Sequence, residues 1–457
     1  MIDYNNKKHI FSQQRKRTSG LRIFLGLTII LGCLFVLRAI NTGKITPLLE
    51  PTPTPTRTYN SYAMEGETNF KTGNLEKAIA AYQNAVKVDP NDPSLWAELA
   101  RIQVYSTTQI TTDTGKRDRL NEAFDSIAKG LAVAPEDSQL HAVKAFASDW
   151  YGTSSIAGED WQKYLNQSEQ EAVLAIQYDS QNNLAKAYYA EVLVDQQKWT
   201  QADQYIAQAL EKGGEELDIY RVAGYVQESL GNYTEAIDYY KKATTITPNM
   251  NSLYISIGAN YRKLADLSAN TAQQNTNYEL ALEAFAQAVQ INEQSGVKDP
   301  IPLISIANTY VQMGEFFSAA RNMIKAVQYS PSNPTVYGQL GIVYYKARNY
   351  EGSIAPLKCY VRGCDAAESC LVRNGGEECA SDNVGSITIA AQPLSSNTVA
   401  YYFTYGSVLA GLHQPSNGYC KEAMTVFKEI SAGFGEDPTI MSIVNDGVAI
   451  CNSYGYN

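Results

Sequence analysis

The chain has 457 residues, 44% of them hydrophobic, and a formal net charge of −10. That composition belongs to an ordered chain rather than a low-complexity one. The acidic balance excludes the broad basic face that sequence-independent nucleic-acid binding requires. By length alone there is room for about three ordinary domains, unless the chain grows by stacking repeats instead.

Residues 1–20 form a basic tail carrying Lys7, Lys8, Arg15, Lys16 and Arg17, with Asp3 its one acid. Residues 21–40 follow as an apolar segment, uncharged from Ile23 to Leu37. About 20 apolar residues suffice to cross a bilayer, so this segment is read as a transmembrane helix. Arg22 and Arg38 would reach the headgroups along their stems. The excess of positive charge before the run places the amino terminus in the cytoplasm and the bulk of the chain outside, as a single-pass cell-membrane protein. A cleaved signal peptide is the rival reading, although the nearest small-x-small site, Leu37-Arg38-Ala39, has an arginine at its centre. Either reading exports the remainder. Residues 41–58 contain the alternation Pro51-Thr52-Pro53-Thr54-Pro55-Thr56, which favours an extended polyproline spacer.

From 59 to 358 the sequence is periodic. Lys77-Ala78-Ile79-Ala80-Ala81-Tyr82, Glu235-Ala236-Ile237-Asp238-Tyr239-Tyr240 and Leu280-Ala281-Leu282-Glu283-Ala284-Phe285 open similar segments, with apolar residues at helical spacing. An upstream helix accompanies each segment, marked by Trp96-x2-Leu99-Ala100, Tyr254-x2-Ile257-Gly258-x2-Tyr261 or Tyr337-x2-Leu340-Gly341-x2-Tyr344. Small residues in the first helix (Gly66, Ala100, Ala145, Ala190, Gly224, Gly258, Ala307, Gly341, Gly406) allow the second helix to approach closely, and bulky Tyr82, Tyr240, Phe285, Met323 and Phe427 fill the remaining space. Pro90, Pro135, Pro248 and Pro331 end second helices, and Gly73, Gly231 and Gly314 mark the hairpin turns.

About nine such units resemble the tetratricopeptide repeat, a 34-residue helix hairpin. The resemblance implies an all-α fold, a right-handed α-solenoid of stacked hairpins preceded by the transmembrane helix and the Pro/Thr linker. Ala202 to Ala236 is the family's 34-residue step, whereas Ala78 to Ala123, Ala123 to Ser168 and Ala236 to Ala281 are steps of 45. The surplus is about three helical turns. It predicts taller hairpins with both helices lengthened, and the polar stretches 106–116 and 270–277 suit their loop tips.

Residues 359–396 interrupt the periodicity with Cys359, Cys364, Cys370 and Cys379, and 397–457 resume it as a last hairpin and capping helix with Cys420 and Cys451. Six cysteines in an exported region predict disulfides. The four in the insert allow three pairings; Cys420 and Cys451 should meet, since one starts a helix and the other ends its antiparallel neighbour. Zinc is the alternative for the insert, but the C-x4-C-x5-C-x8-C spacing lacks a C-x2-C knuckle and a nearby histidine. Residues 385–391 read as a short strand or extended loop.

Catalytic signatures are missing from the sequence. His9, His141 and His413 lie far apart, His141 falls in a packing slot, and no nucleophile elbow, phosphate loop or dinucleotide fingerprint occurs. Acidic pairs such as Glu215-Glu216 and Glu377-Glu378 read as solvated charges. The expectation is a non-enzyme that needs no metal or cofactor. In the resembled family, first helices line a concave groove. In this register the groove candidates are Arg221, Tyr225, Glu228, Ile255, Arg262, Asn308, Val311, Ile342 and Tyr345. Asn308 fits one position of the family's carboxylate clamp for acidic tails, but Ile304 stands where its lysine would be, which argues against that ligand. The function expected is a membrane-tethered extracytoplasmic scaffold for a protein or peptide partner in the cell envelope, with no nucleic acid. The alternatives are a self-assembling surface protein or a noncatalytic accessory subunit of an envelope enzyme.

Overall fold

A computed structural model describes residues 19–42, 44, 57–212, 216–380 and 385–456. The basic tail with His9, most of the Pro/Thr linker and Glu215 lie outside the described residues. Two compact units divide the chain, residues 1–57 and 58–457.

In the first unit, α1 spans Gly20–Asn41. Its stretch Gly20–Ile40 has a mean hydropathy of 2.5 and none of it is buried, so by length and composition it can cross a membrane.

The second unit is an α-solenoid. Its hairpins, in chain order, are α2 (Tyr59–Lys71) with α3 (Leu75–Val88), α4 (Pro93–Ser106) with α5 (Asp113–Val133), α6 (Ser138–Thr153) with α7 (Trp161–Tyr178), α8 (Asn183–Asp195) with α9 (Trp199–Lys212), and α10 (Leu217–Ser229) with α11 (Tyr233–Ile246). Next come α12 (Asn251–Asp266) with α13 (Thr271–Ser295), α14 (Ile301–Gln312) with α15 (Phe316–Tyr329), and α16 (Pro334–Lys346) with α17 (Tyr350–Val361). The short α18 (Ala366–Arg373) lies in the insert, and α19 (Val399–Gly411) with α20 (Tyr419–Phe434) and α21 (Pro438–Ser453) complete the array.

Local chemistry sets these boundaries. Asp92, Asp137, Asn182 and Asn333 each accept a hydrogen bond from a backbone N–H in the first turn of the helix that follows, so these four hairpins start on a capped end. The hairpin turn needs a left-handed residue, supplied by Gly73, Gly231 and Gly314; Gln197 and Arg348 adopt the same conformation at the equivalent points without glycine's freedom. Packing follows the small-against-large rule. A Cβ on Gly224 would stand 2.8 Å from the Tyr240 ring, and one on Gly258 2.6 Å from that of Phe285.

The three 45-residue steps do produce taller hairpins, but the growth is unequal, which corrects the expectation of even lengthening. The first helices gain little: α4, α6 and α12 have 14, 16 and 16 residues, against 13 in α10. The second helices gain most: α5, α7 and α13 have 21, 18 and 25, against 14 in α11. Thr112 and Asn270 decide this, because their side chains cap helices that therefore begin early. The stretch 270–277 is consequently helical rather than a loop tip, and short 3-10 turns at Thr107–Gln109 and Ser155–Asp160 take up the rest.

The first six hairpins wrap into a closed turn. The Asn249 amide donates to the Thr72 carbonyl at 3.1 Å across 177 residues of sequence, and the Gln109 amide to the Gly73 carbonyl at 3.2 Å. One apolar cluster joins Phe70 of α2 to Leu217 of α10 and Leu253 of α12.

All six cysteines beyond α1 are paired, as Cys359–Cys364, Cys370–Cys379 and Cys420–Cys451. The first two bonds consume the thiolates a zinc ion would need. Cys359 sits in the last turn of α17, so the repeat helix itself carries the first cysteine of the insert. Residues 385–391 supply an isolated bridge, Ile389 with Cys364, rather than a strand. Arg362 then ties the end of α17 to α20 through Glu422 at 2.6 Å and Glu429 at 2.8 Å.

Candidate functional site

Inside the closed turn, α4, α6, α8 and α10 face one another. Their inner residues form an aromatic and ionic core. Phe146 stacks on Tyr188 with ring centroids 4.5 Å apart, and Tyr105 packs against Phe146 and Trp150 at 5.2 and 5.7 Å. Asp218 of α10 accepts from Arg101 at 2.7 Å and from the hydroxyls of Tyr105 and Tyr188 at 2.5 and 2.6 Å. Arg221 makes a two-pronged pair with Glu191, both bonds 2.6 Å, and its guanidinium lies over the Phe146 ring at 5.2 Å. Burial by itself would raise the Asp218 pKa; Arg101 and Arg221, with the two tyrosine hydroxyls, outweigh it and hold the carboxyl below its usual range.

Two carboxyl groups remain outside this pairing. Asp149 of α6 is 1% exposed, and neither of its oxygens has a hydrogen-bonding partner among the described residues. It faces Asp195 of α8, which accepts from the Tyr225 hydroxyl. Burial first, then Asp195 and Glu191, push Asp149 well above the usual carboxylate pKa, and burial likewise raises Asp195. Both border a cavity of about 430 Å3, walled by residues of α5, α6, α8, α10, α11 and α12.

The nine groove candidates divide by position. Arg221, only 9% exposed, is buried in the core just described and is no open groove residue. Tyr225 borders the cavity. Glu228 is tied across three helices, accepting from Tyr240 at 3.0 Å and Asn260 at 2.9 Å. Ile255 packs with Phe285 and Ile306, while Arg262 lies over Phe285 with its guanidinium 5.8 Å from the ring centroid. Val311 and Ile342 are half-buried, and Asn308 and Tyr345 are exposed. From α12 onward, therefore, the first helices leave a mixed strip accessible. His141 has a packing environment, with Nδ1 2.6 Å from Glu171 and Nε2 2.9 Å from the Pro135 carbonyl.

Sequence reasoning missed Arg101, Phe146, Asp149, Glu191 and Asp195. The signal was present. Counted from the small residue of each first helix, the offsets that select Tyr225 and Glu228 in α10 select Arg101 in α4, Phe146 and Asp149 in α6, and Glu191 in α8.

Models of the tetratricopeptide repeat match residues 66–104 and 190–251. The chain carries tetratricopeptide repeats. Among solved structures it is similar to TTC0263, a thermophilic TPR protein of Thermus thermophilus, at 19% identity over 44% of this chain and 98% of that one, with a TM-score of 0.36. It is also similar to the human IFIT1 dimer with PPP-AAAA, at 16% identity over 82% and 91% of the two chains, TM-score 0.46. A third is the pilF protein of Pseudomonas aeruginosa, at 16% identity over 55% and 98%, TM-score 0.35. Tetratricopeptide repeats serve as protein-interaction scaffolds and are generally noncatalytic.

Proposed function

We propose that this tetratricopeptide-repeat protein is a membrane-tethered, extracytoplasmic scaffold that holds a protein or peptide partner of the cell envelope. The observation that carries the reading is the contrast between its two halves. The inner face of α4 to α10 is occupied by its own side chains, whereas α12, α14 and α16 leave Ile255, Arg262, Asn308, Val311, Ile342 and Tyr345 wholly or partly accessible. Half-exposed aliphatic and tyrosine side chains beside polar ones suit an extended segment lying across several first helices. Three disulfides in residues 58–457 favour an oxidising compartment. The apolar α1 offers the tether.

The test is site-specific photocrosslinking in native membranes, from Asn308 and Tyr345 and, as a control, from Glu283 on the exposed side of α13. A heterologous partner crosslinked from the first two positions and not from the third is the expected result. Crosslinks only to copies of the same chain would transfer the case to a self-assembling surface protein. The compartment is tested separately: a membrane-impermeant thiol reagent applied without reductant should leave all six cysteines beyond α1 unmodified, and labelling of native Cys420 or Cys451 would overturn the assignment.

A further inference from the structure

We propose that the cavity beside Asp149 and Asp195 receives a primary ammonium group, the side chain of a lysine carried by the partner peptide. This rests on the scaffold reading and specifies the chemistry of its ligand.

The geometry begins with the two acids. Asp149 and Asp195 project from neighbouring first helices and present carboxyl oxygens to each other, so neither can satisfy the other unless a proton or a cation lies between them. Arg221, whose charge acts on both acids, is committed elsewhere. Arg221 spends its guanidinium on both oxygens of Glu191 and on the Tyr105 hydroxyl, and the remaining donor to Glu191 is the Trp150 indole at 3.1 Å. Lys116, on the cavity wall in α5, lies close enough to act on Asp299 at the start of α14. Tyr225 donates to Asp195 but Asp149 has no donor among the described residues; a buried carboxyl left so is costly, and such a pair beside a cavity is the arrangement expected of a binding group rather than a structural one.

The walls select the kind of cation. Leu120, Ile156 and Leu253 are apolar, and Trp150, Tyr225 and Tyr240 present aromatic rings. A hard metal ion needs six or more oxygen ligands and would find few here; among the described residues no cluster of three metal-ligating side chains occurs. A lysine combines an alkyl stem for the apolar walls with three N–H donors for the two carboxyls. The cavity, about 430 Å3, is within the range that takes a small ligand or one long side chain. The titratable and charged groups facing the site are Glu191 and Asp195 from α8, Arg221 and Tyr225 from α10, Tyr240 from α11 and Lys116 from α5.

The experiment uses the full chain in lipid nanodiscs and calorimetry near neutral pH, with acetyl-Gly-Lys-Gly-amide as the probe and its norleucine isostere as the comparison. The lysine peptide should bind saturably, and the norleucine peptide at least about tenfold more weakly. Asp149→Asn and Asp195→Asn should each weaken the lysine peptide by a similar factor while keeping the helical signal of the parent and a melting temperature no lower than the parent's. Having two variants guards against one of them folding poorly. Equal affinity for the two peptides, no saturable binding of the lysine peptide up to about 10 mM, or unchanged affinity in the Asp149→Asn protein overturns the proposal. Should partner crosslinking at Asn308 and Tyr345 persist while lysine binding fails, this proposal falls and the scaffold reading survives.

Discussion

Replacing Asp218 by Asn removes the charge at the centre of the closed turn while preserving its volume. In the parent, this one buried carboxylate satisfies Arg101 and the hydroxyls of Tyr105 and Tyr188, groups contributed by α4 and α8 to a residue of α10. Removing one partner of a buried ion pair costs about 3–5 kcal/mol. Arg101 keeps Glu98 at 2.8 Å, a partly exposed neighbour, which places the expected loss near the lower end, about 3 kcal/mol. The effect should be regional, because stability in a repeat array is a sum of local and neighbouring terms. Native-state hydrogen exchange on the full chain resolves this: the core amides of α4, α8 and α10 should exchange about two orders of magnitude faster, and those of α20 and α21 should be unaffected. A loss under about 1 kcal/mol, or an equal loss at α20, would refute the assignment of Asp218 as the hub of the front half.

The acids of the inner face give opposite pH dependences. Asp218, depressed in the folded state, contributes stability above about pH 4 that is lost as pH falls through its lower folded value, whereas Asp149 and Asp195, raised on folding, lose relative stability as pH climbs from about 4 toward their folded values. The melting temperature of Asp149→Asn should therefore exceed the parent's by a margin that widens toward neutral pH, and a margin independent of pH would contradict this. Gly341→Ala places a Cβ 2.5 Å from Leu357 and should cost about 1–2 kcal/mol, seen as faster exchange in α16 and α17. Changing Cys420 and Cys451 together to Ser opens a link spanning 31 residues of sequence; a loss of about 3–4 kcal/mol confined to the last hairpin, read by limited proteolysis, is expected. Arg348→Gly relieves a left-handed φ of 58° and should stabilise α16 and α17 by up to about 1 kcal/mol, measured by urea unfolding.

The hairpins were legible because their rules are local. A small residue in one helix faces a large one in the next, a proline ends the second helix, and Gly73, Gly231 or Gly314 turns the chain. The Cys420–Cys451 pair followed from the same antiparallel logic. The division of the extra turns depended on the caps at Thr112 and Asn270, residues that also read as ordinary loop polars. The pairing within the insert was open among three choices, and the course of the chain from α17 into α18 selected the two short links. Closure of the front turn was invisible to periodicity, since it joins Thr72 to Asn249 through the summed rotation of the hairpins between them. Without that closure, Arg221 reads as a groove residue and Asp149 as an ordinary helix acid.

The same closure has a mechanical meaning. An open solenoid extends like a coil spring, each hairpin yielding a little. Here the bond from Asn249 to Thr72, the Phe70 contacts behind it and the Arg101–Asp218 pair fasten the first six hairpins into a stiff collar. Tension applied across residues 58–457 would be borne by the clasp at the front, while the hairpins from α14 onward flex, until the Cys420–Cys451 link halts their unravelling at the far end.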